Sequence, residues 1–570
     1  MTLFYVHLIW FLFFSVVSVF FLIVAVYTTL NMLTMSISVD IFSSWFMKLT
    51  MSISVDIFSS WFRFVVRLIT SVIMVYSYFY ISPYSKPNYF IWLTVFFVLS
   101  MLILINMSNF LFIMLGWDGL GLVSFFLIVY YQNYSSISSG LFTVLINRIG
   151  DCFFIVSISL FMLYYSELWV SYDTGFYYLV LSIFITFITK RAIFPFSSWL
   201  PIAIAAPTPI SALVHSSTLV TAGLYLSMRF SFLFYSSLTI INLFLILSVF
   251  TSFYAGINSI FETDMKKLIA LSTLSHLGFI GLAFSCGLLY LSFFHLLVHA
   301  LFKSSLFIAI GDIITNLFHS QDIRFLSSGV IFTPASFYTM IVRLLNLLGM
   351  PIMSGYFSKD LVLETCNFTF SSQFIVFLVF LNVIFTYYYT YKLFYFSFRT
   401  LKFGPYVMIN KRTLTHTICL LGLSVLSIFF GSIWLRHINF FVLHVSVPLV
   451  WKLTPYILNG LVFTYLVLNL GVFRVDSKFA FYYFSNMIFL SVVSMAIVSN
   501  LFLNLTYYLS KSSEFGLYRW LLNNSFVEKL RFLGLFSFKT FSLPSFTIVL
   551  ISFYSLILFC CLLCNIIKYG

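Results

Sequence analysis

The sequence contains few charged residues. Asp, Glu, Lys and Arg make up 8% of its 570 residues, whereas average globular proteins carry about 25%. Hydrophobic residues make up 62% of the chain. Because a membrane-spanning helix needs about 20 mostly apolar residues, the chain is long enough for many spans. The composition excludes a large soluble domain, and the apolar runs predict an all-α polytopic membrane protein of about 14–16 helices.

Sequence motifs for redox cofactors and metals are also missing. No glycine-rich dinucleotide loop of the G-x-G-x-x-G type occurs, and the seven cysteines lack the spacing of an iron–sulfur or zinc site. Cys560, Cys561 and Cys564 lie together in an apolar run, but no fourth ligand is nearby. We therefore expect neither a cofactor nor a metal in this chain.

Acidic residues are few, with 15 Asp and Glu against 29 Lys and Arg, so the net charge is +14. In a soluble protein this excess would suggest nucleic-acid binding. In a membrane protein, basic residues collect in short loops and fix the topology. The charge therefore predicts membrane anchoring and no nucleic-acid partner.

Proline is rare, with 12 residues in all, so a cluster of prolines is informative. Four of them lie between Lys190 and His215, at positions 195, 201, 207 and 209. Because proline removes a backbone donor and clashes with the preceding turn, this stretch cannot be one straight helix. The apolar runs 176–194 and 208–230 are either two spans or two halves of one interrupted helix. Broken backbone at membrane depth survives only where protein or a wet cavity covers it, so the stretch predicts an ion pathway.

An interruption next to a lysine, followed by a second lysine further along the chain, occurs twice. Pro351 and Gly355 interrupt the chain before Lys359 and Asp360, and Lys392 follows at the middle of a predicted span. In the first half, Lys266 follows Lys190 in the same way. Paired interrupted helices are the usual sequence sign of an inverted-repeat transporter.

Other ionisable residues lie inside apolar runs, where they are expensive and usually functional. His295, His299 and Lys303 follow each other at intervals of four and form one polar stripe on a helix. The two histidines lack the Glu of a H-E-x-x-H zinc site, so we do not expect a metal there. His276 is either an interior polar residue or a core histidine.

Asp118 lies at mid-span among Gly116, Gly119 and Gly121, which allow another backbone to approach. Arg148 and Asp151 are three residues apart and share a helix face. They form either a plain buried ion pair or part of the pathway.

Several of these segments together resemble a known family. They include GWDGLGLVSFFLIVYYQN, NRIGD, FPFSSWLPIAIAAPTPISALVHSSTLVTAGLY, TDMKKLIALSTLSHLG, HLLVHALFKSSLF and GMPIMSGYFSKD. In this order they are similar to the chain 5 family of NADH–ubiquinone oxidoreductase (respiratory complex I). The members of this family are the distal antiporter-like membrane subunits of that complex. The similarity covers roughly residues 50–400. Beyond residue 400 only the hydropathy agrees.

The resemblance implies a proton path, supporting residues and partners. The path would use Asp118, Lys190, His215, Lys266, His295, His299, Lys303 and Lys359, with Arg148, Asp151, Asp360 and Lys392 in support. The partners would be other complex I subunits, especially the neighbouring antiporter-like subunits, and lipids such as cardiolipin, in the mitochondrial inner membrane. NADH, FMN, the iron–sulfur clusters and ubiquinone would bind partner subunits. His276 and Asp312 stand where the resemblance leads us to expect neutral residues.

The resemblance also implies the domain organisation, with two inverted five-helix repeats. The expected segments are N-terminal helices (1–89), a first repeat (90–260), a second repeat (261–400), further helices (401–509), a lateral amphipathic segment (510–543) and a C-terminal span (544–570). The segment 510–543 could also be an ordinary loop between helices. The fourteen residues Leu33–Phe46 recur unchanged at Leu49–Phe62, and we expect no chemistry there.

Two rival functions remain at this point. A multisubunit Na⁺/H⁺ antiporter shares most of these motifs, and purification with flavin and iron–sulfur proteins would separate it from a complex I subunit. The second rival is a membrane scaffold whose charges only form ion pairs. In that case, proton pumping by the intact complex would not change when Lys190 or Lys359 is replaced by Met.

Overall fold

The structure is a computed structural model that describes residues 2–31, 34–43, 48–81, 87–165, 172–317, 319–326, 333–369, 373–398, 414–438, 449–468, 483–484 and 504–518. Within these ranges, 12 helices are long and apolar enough to cross a membrane. The chain divides into two compact units, Met1–Ser494 and Met495–Gly570. In the second unit, the described residues form a short helix, Asn504–Ser510, which continues as a π-helix over Lys511–Tyr518.

The elements of the first unit, numbered in chain order, are nearly all helices. Up to the first interruption they are α1 Thr2–Asn31, β1 Met35–Ser43, β2 Lys48–Val55, α2 Ile57–Ile81, α3 Pro87–Asn106, α4 Phe110–Ile128, α5 Tyr134–Tyr165 and α6 Tyr172–Arg191. The next elements are α7 Trp199–Ile202, α8 Thr208–Arg229, α9 Ser231–Tyr235, α10 Leu238–Phe261, α11 Met265–Ser285 and α12 Leu289–Asn316. The last are α13 Pro334–Leu348, α14 Leu361–Thr369, α15 Gln373–Phe398, α16 Leu414–Ile438 and α17 Leu449–Leu468.

The duplicated segment forms a hairpin that the sequence analysis does not predict. Its two copies pair as the antiparallel strands β1 and β2, with Met35 opposite Val55 and Ser38 opposite Ser52. The residues Ile57–Phe62 begin helix α2, although the identical Ile41 lies in a strand in the first copy. Tertiary context therefore overrides the local preference of this sequence.

The apolar runs 176–194 and 208–230 belong to two separate spans, and the first interruption lies within the first of these spans. Helix α6 ends at Arg191, because Ala192 takes a left-handed conformation with φ 57° and Pro195 follows. Short helical turns continue this span to Ala205, and α8 is a separate span that begins at Thr208. Within α8, the residues Ser211–Thr218 are π-helical, a distortion that is frequent at functional sites.

The second interruption lies between α13 and α14, as the sequence predicts. Gly349 ends α13 in a left-handed conformation with φ 75°. A π-helical turn then carries Tyr356–Asp360 into α14. Both interruptions therefore place a lysine, Lys190 or Lys359, beside backbone that departs from a regular α-helix.

One end of the bundle is defined by the loop at Asp322, and we call it the Asp322 end. The Met265 amide donates to the Gln321 carbonyl at 2.8 Å, and the Ile323 amide donates to the Thr263 carbonyl at 2.9 Å. These bonds join the start of α11 to the loop after α12. The ends of α10 and α12 and the start of α11 therefore lie at this end.

Most predicted spans of the first unit correspond to observed helices within a few residues. The C-terminal span 544–570 and most of the lateral segment 510–543 lie outside the described residues. The close approach predicted at Gly116 is present, because an added Cβ would lie 2.7 Å from the Leu104 backbone nitrogen. The domain limits and the inverted relation of the two repeats stay predictions.

Candidate functional site

The ammonium of Lys190 is fully buried beside helix α4. Its side chain is 0% exposed, and Nζ donates to the backbone carbonyl of Trp117. The same nitrogen lies 4.0 Å from the centre of the Trp117 ring, so it also makes a cation–π contact. The end of α6 therefore places this lysine against α4 instead of against lipid.

A chain of ion pairs extends from Lys190 to Asp118. Lys190 Nζ lies 3.8 Å from Asp151 Oδ1, and Arg148 Nη1 lies 3.4 Å from Asp151 Oδ2. Arg148 Nη1 also donates to Asp118 Oδ1 at 2.6 Å. The predicted pair of Arg148 and Asp151 is thus one link of a four-residue network, which we call the first cluster. Its outer members, Arg148 and Asp118, are 41% and 35% exposed within this chain.

His215 lies in the π-helical part of α8 and is fully buried. Its ring centre is 6.2 Å from that of Trp199, and the Trp199 indole donates to the Thr189 carbonyl at 2.9 Å. Trp199 therefore separates this histidine from the residue that precedes Lys190.

The predicted stripe on α12 faces α11. Lys303 is fully buried, and its Nζ donates to Ser272 Oγ at 2.6 Å. His295 and His299, also fully buried, lie around His276 of α11, with ring centres 5.6 and 5.7 Å from that of His276. His276 is therefore an interior polar residue of a three-histidine group, and not an isolated core histidine.

The stripe leads to the second interruption. His276 Nδ1 lies 3.5 Å from His295 Nε2, and His295 Nδ1 lies 3.0 Å from Ser358 Oγ. Ser358 precedes Lys359, whose Nζ donates to the Leu347 carbonyl at 3.1 Å and to Thr386 Oγ1 at 3.0 Å. We call Ser272, His276, His295, His299, Lys303, Ser358, Lys359 and Thr386 the second cluster.

Asp360 is buried next to the second cluster, at the π-helical turn. A Cβ added at Gly349 would lie 3.0 Å from Asp360 Oδ1. The left-handed glycine that ends α13 therefore leaves room for this carboxylate.

Two predicted site residues lie elsewhere, at the Asp322 end. Lys266 is the second residue of α11 and is 5% exposed. Lys392 lies near the end of α15, not at mid-span as predicted, and its Nζ donates to the carbonyls of Ile260 and Glu262 at 2.7 and 2.6 Å. A lysine in this position satisfies the last carbonyls of helix α10. The structure does not bring either lysine into contact with the two clusters.

Glu262 lies in the short loop between α10 and α11, next to Lys392. Burial raises the pKa of its carboxyl from 4.5 to about 7, opposed by the positive charges of Lys267 and Lys392 and aided by the negative charge of Asp264. A group that titrates near neutral pH therefore lies at the Asp322 end, and the sequence analysis does not single it out.

The uncharged members of the clusters are not apparent from the sequence. Ser272, Ser358 and Thr386 accept hydrogen bonds from the lysines or lie beside the histidines, and Trp117 holds Lys190. Serine and threonine are too common in the apolar runs to stand out. A repeated pairing of hydroxyls with lysines on neighbouring helices becomes visible only in the fold.

The clusters contain groups that can accept and release protons, and all their members except Arg148 and Asp118 are buried. Hydroxyls and imidazoles can act both as donors and as acceptors, so they can pass a proton between two lysines. Among the described residues, no group of three or more His, Cys, Asp or Glu side chains could hold a metal ion. The arrangement is suited to proton transfer along a buried polar row.

Comparisons with known proteins match most of the chain to named relatives. Residues 107–386 match the family described as NADH:quinone oxidoreductase/Mrp antiporter, TM. NADH-ubiquinone oxidoreductase chain 5 of Anopheles quadrimaculatus is 39% identical over 503 residues, which is 86% of this chain and 87% of the relative. The protein of the same name from Locusta migratoria is 38% identical over 481 residues, covering 79% and 81%.

Solved structures share the fold at lower identity. A chain of the Mrp complex from Dietzia sp. DQ12-45-1b is 20% identical with a TM-score of 0.63, and the match covers 84% of this chain and 56% of that one. A chain of an archaeal membrane-bound sulfane sulfur reductase is 18% identical with a TM-score of 0.62, covering 77% and 95%. At this identity the likeness concerns the fold alone.

Proposed function

The chain belongs to the NADH-ubiquinone oxidoreductase chain 5 family, and from this premise we propose that it is the proton-translocating membrane subunit of NADH–ubiquinone oxidoreductase. Electron transfer from NADH to ubiquinone takes place in partner subunits. This chain uses the free energy of that reaction to move protons through buried Lys, His and Asp residues.

The observation that carries the proposal is the placement of three lysines, Lys190, Lys303 and Lys359, each buried within the bundle. A lysine at a helix centre costs about 2.5–3.5 kcal/mol on insertion scales, so such residues mark ion pathways or paired charges. Each of the three donates a hydrogen bond to a carbonyl or hydroxyl oxygen within the bundle. Two of them lie at the interruptions of the helices.

The first cluster can load and release a proton by moving charge. Two unit charges about 4 Å apart interact by about 4 kcal/mol at an effective dielectric constant of 20. Separating Lys190 from Asp151 would therefore weaken the binding of the lysine's proton, and Arg148 offers Asp151 a second partner. A shift of the Asp151 carboxylate toward Arg148 would therefore favour release of the Lys190 proton.

The second cluster can carry a proton between Lys303 and Lys359. The three histidines would accept it on one ring nitrogen and release it from the other, and His295 contacts Ser358, which belongs to the same π-helical turn as Lys359. His215 occupies the corresponding region of the first half, beside Trp199. We assign Lys266 and Lys392, with Glu262, to the end of the path because they lie at the Asp322 end.

The proposal extends to organisation and location. The residues 90–260 and 261–400 would form two inverted repeats, one around each interruption. NADH, FMN, iron–sulfur clusters and ubiquinone would bind partner subunits of the complex. The neighbouring antiporter-like subunits and lipids such as cardiolipin would contact this chain in the mitochondrial inner membrane.

The proposal is tested with Lys190→Met and Lys359→Met in the assembled complex. We expect each variant to lower the number of protons translocated per NADH oxidised, measured in vesicles that contain the purified complex. Arg324→Met is the control, because Arg324 is 65% exposed and lies 3.4 Å from Asp322 Oδ1, outside the proposed path. Unchanged translocation by both buried-lysine variants would leave only a scaffold role.

The rival function, a subunit of a Na⁺/H⁺ antiporter, is tested by purification. The chain should purify together with flavin and iron–sulfur proteins, and translocation should require NADH rather than a sodium gradient. A complex that lacks these proteins and exchanges Na⁺ for H⁺ would establish the rival.

A further inference from the structure

Arg191, the last residue of α6, carries a fully buried side chain that the proposed path does not use. An arginine keeps its positive charge in proteins, and a charge within a membrane-spanning bundle is costly and usually functional. In the described part of the chain, its polar contacts are a backbone carbonyl and an aromatic ring rather than a carboxylate. An ion pair within this chain therefore does not account for the burial of Arg191.

Two helices of the bundle, α10 and α11, enclose the Arg191 guanidinium. Its Nη2 donates to the Leu277 carbonyl of α11 at 3.1 Å. Its Cζ lies 4.6 Å from the centre of the Phe244 ring in α10, which is a cation–π contact. Gly281 of α11 leaves room for this group, because a Cβ added there would collide with Nη2. The surface of α11 is therefore shaped around Arg191.

Lys190 and Arg191 hold the end of α6 on two different sides. Successive residues of an α-helix point about 100° apart, so Lys190 donates to the Trp117 carbonyl of α4 while Arg191 donates to α11. The helix end itself is closed, since the Ile193 amide donates to the Ile188 carbonyl at 3.2 Å. A displacement of the backbone at Lys190 therefore also displaces Arg191.

The contact on α11 lies next to the second cluster. Leu277 directly follows His276, whose ring packs beside those of His295 and His299. The hydrogen bond of Arg191 thus joins the neighbour of Lys190 to the neighbour of His276. It is a direct polar connection between the helix that carries the first buried lysine and the helix that carries a member of the second cluster.

We propose that Arg191 is a positioning residue that transmits movement of the α6 end to α11 and so links the first cluster to the position of His276. The inference rests on the proposed function, because it names how the two halves of that path act together. When Asp151 shifts away from Lys190, α6 loses its hold on α5, and Arg191 passes the resulting movement to the Leu277 carbonyl. The guanidinium stays protonated throughout, so no proton passes through Arg191 and no covalent bond changes.

The competing explanation is a structural pin that holds α6 against α11 without transmitting movement. Arg191→Met removes the charge and the donors, whereas Arg191→Lys keeps the charge and one donor group. Arg67→Met is the matched control, because Arg67 is also a buried arginine in a span. It lies in α2, with its Cζ 3.7 Å from the centre of the Phe21 ring in α1, and belongs to neither cluster.

The experiment measures hydrogen exchange of residues 276–285 in the purified complex, with and without Asp151→Asn. This change removes the negative charge beside Lys190 on α5, and in the described contacts Asp151 does not touch α11. We expect Asp151→Asn to speed the exchange of this segment when Arg191 is present, and to have no effect on it in the Arg191→Met chain. The response should persist in part with Arg191→Lys and in full with Arg67→Met.

Gly281→Ala provides a second variant that keeps the arginine. The added Cβ occupies the position of Nη2, so the guanidinium must leave the Leu277 carbonyl. The response of α11 to Asp151→Asn should then be lost, as in Arg191→Met. If the Arg191→Met complex does not assemble, this variant decides, and a response of normal size in Gly281→Ala overturns the inference.

Proton translocation separates the inference from the proposed function. We expect Arg191→Met to lower the protons translocated per NADH oxidised, and Arg191→Lys to restore part of the loss. An α11 segment that does not respond to Asp151→Asn in the wild-type chain, or that responds equally in Arg191→Met, would establish the pin and overturn the inference. In that case a loss of translocation in Lys190→Met would leave the proton-translocating function standing. Normal translocation by both Lys190→Met and Lys359→Met would defeat the proposed function itself.

Discussion

Lys190 Nζ lies 3.8 Å from Asp151 Oδ1, and both side chains are withdrawn from solvent, with 0% and 8% exposure. The two residues come from different helices, α6 and α5. The Trp117 indole donates to the same carboxylate oxygen at 2.9 Å and fixes its orientation. Removing one partner of a buried pair leaves an uncompensated charge, which is strongly unfavourable. This pair is therefore the most sensitive point of the first cluster.

We predict that Asp151→Asn lowers proton loading of Lys190. The Asn oxygen can still accept the Trp117 hydrogen bond, so the change removes the charge and little else. The lost attraction, at most about 4 kcal/mol, corresponds to a change of up to about 10³-fold in the loading equilibrium. Protons translocated per NADH oxidised provide the measurement. Asp322→Asn, which changes a partly exposed carboxylate 3.4 Å from Arg324 Nε, is the control and should have no effect.

We predict that Ser272→Ala impairs the second cluster. The variant removes the hydroxyl that accepts the Lys303 ammonium at 2.6 Å, and a hydrogen bond to a charged group contributes about 1.5–3 kcal/mol. Translocation should fall by roughly tenfold or more, and Ser272→Thr, which keeps the hydroxyl, should restore most of it. Ser285→Ala at the far end of α11 is the control, because Ser285 bonds only to the backbone of Leu282 in the described contacts. Equal behaviour of the two alanine variants would contradict the assignment.

We predict that Gly116→Ala destabilises the contact between α3 and α4. A Cβ at this position would lie 2.7 Å from the backbone nitrogen and 2.9 Å from Cα of Leu104, and neither atom can move alone. Overpacking of this kind costs about 1–3 kcal/mol. The thermal midpoint of the assembled complex should fall. Gly422→Ala has no atom within 4 Å of the added Cβ and should leave the midpoint unchanged or raise it.

We predict a pH-dependent stability of the loop that contains Glu262. The folded-state pKa is raised from 4.5 to about 7, so between these values the folded loop binds more protons than the unfolded one. Its stability is therefore highest below about pH 4.5, falls as the pH rises through 7, and is constant above. The full pKa shift of Glu262 corresponds to a change of about 3 kcal/mol in the stability of the loop. Hydrogen exchange of residues 261–265 in the complex, corrected for the intrinsic rate, should show this fall.

Glu262→Gln provides the control for the pH prediction. The neutral side chain should make the protection of this loop independent of pH between 5 and 8, at the level that the wild type shows at low pH. A wild-type loop whose protection does not change over this range would show that Glu262 does not titrate as expected.

The charged residues inside apolar runs could be found from the sequence because each is costly in lipid and therefore conspicuous. Lys190, Lys303 and Lys359 were predicted in this way, and all are buried. Lys392 was predicted at mid-span by the same reasoning, but it satisfies the carbonyls of Ile260 and Glu262 at a helix end. Hydropathy gives the depth of a residue only within a few turns, so it does not separate a central lysine from a terminal one.

The sequence by itself determined the class of protein, the positions of most helices in the first unit and the two interruptions, because apolar length and proline act locally on the backbone. Only the tertiary structure decided that Lys190 meets Asp151, that His276 joins His295 and His299, and that Asp312 faces His416. Each of these contacts joins different helices. The way helices pack depends on the shapes of all their side chains together, which no short stretch of sequence contains.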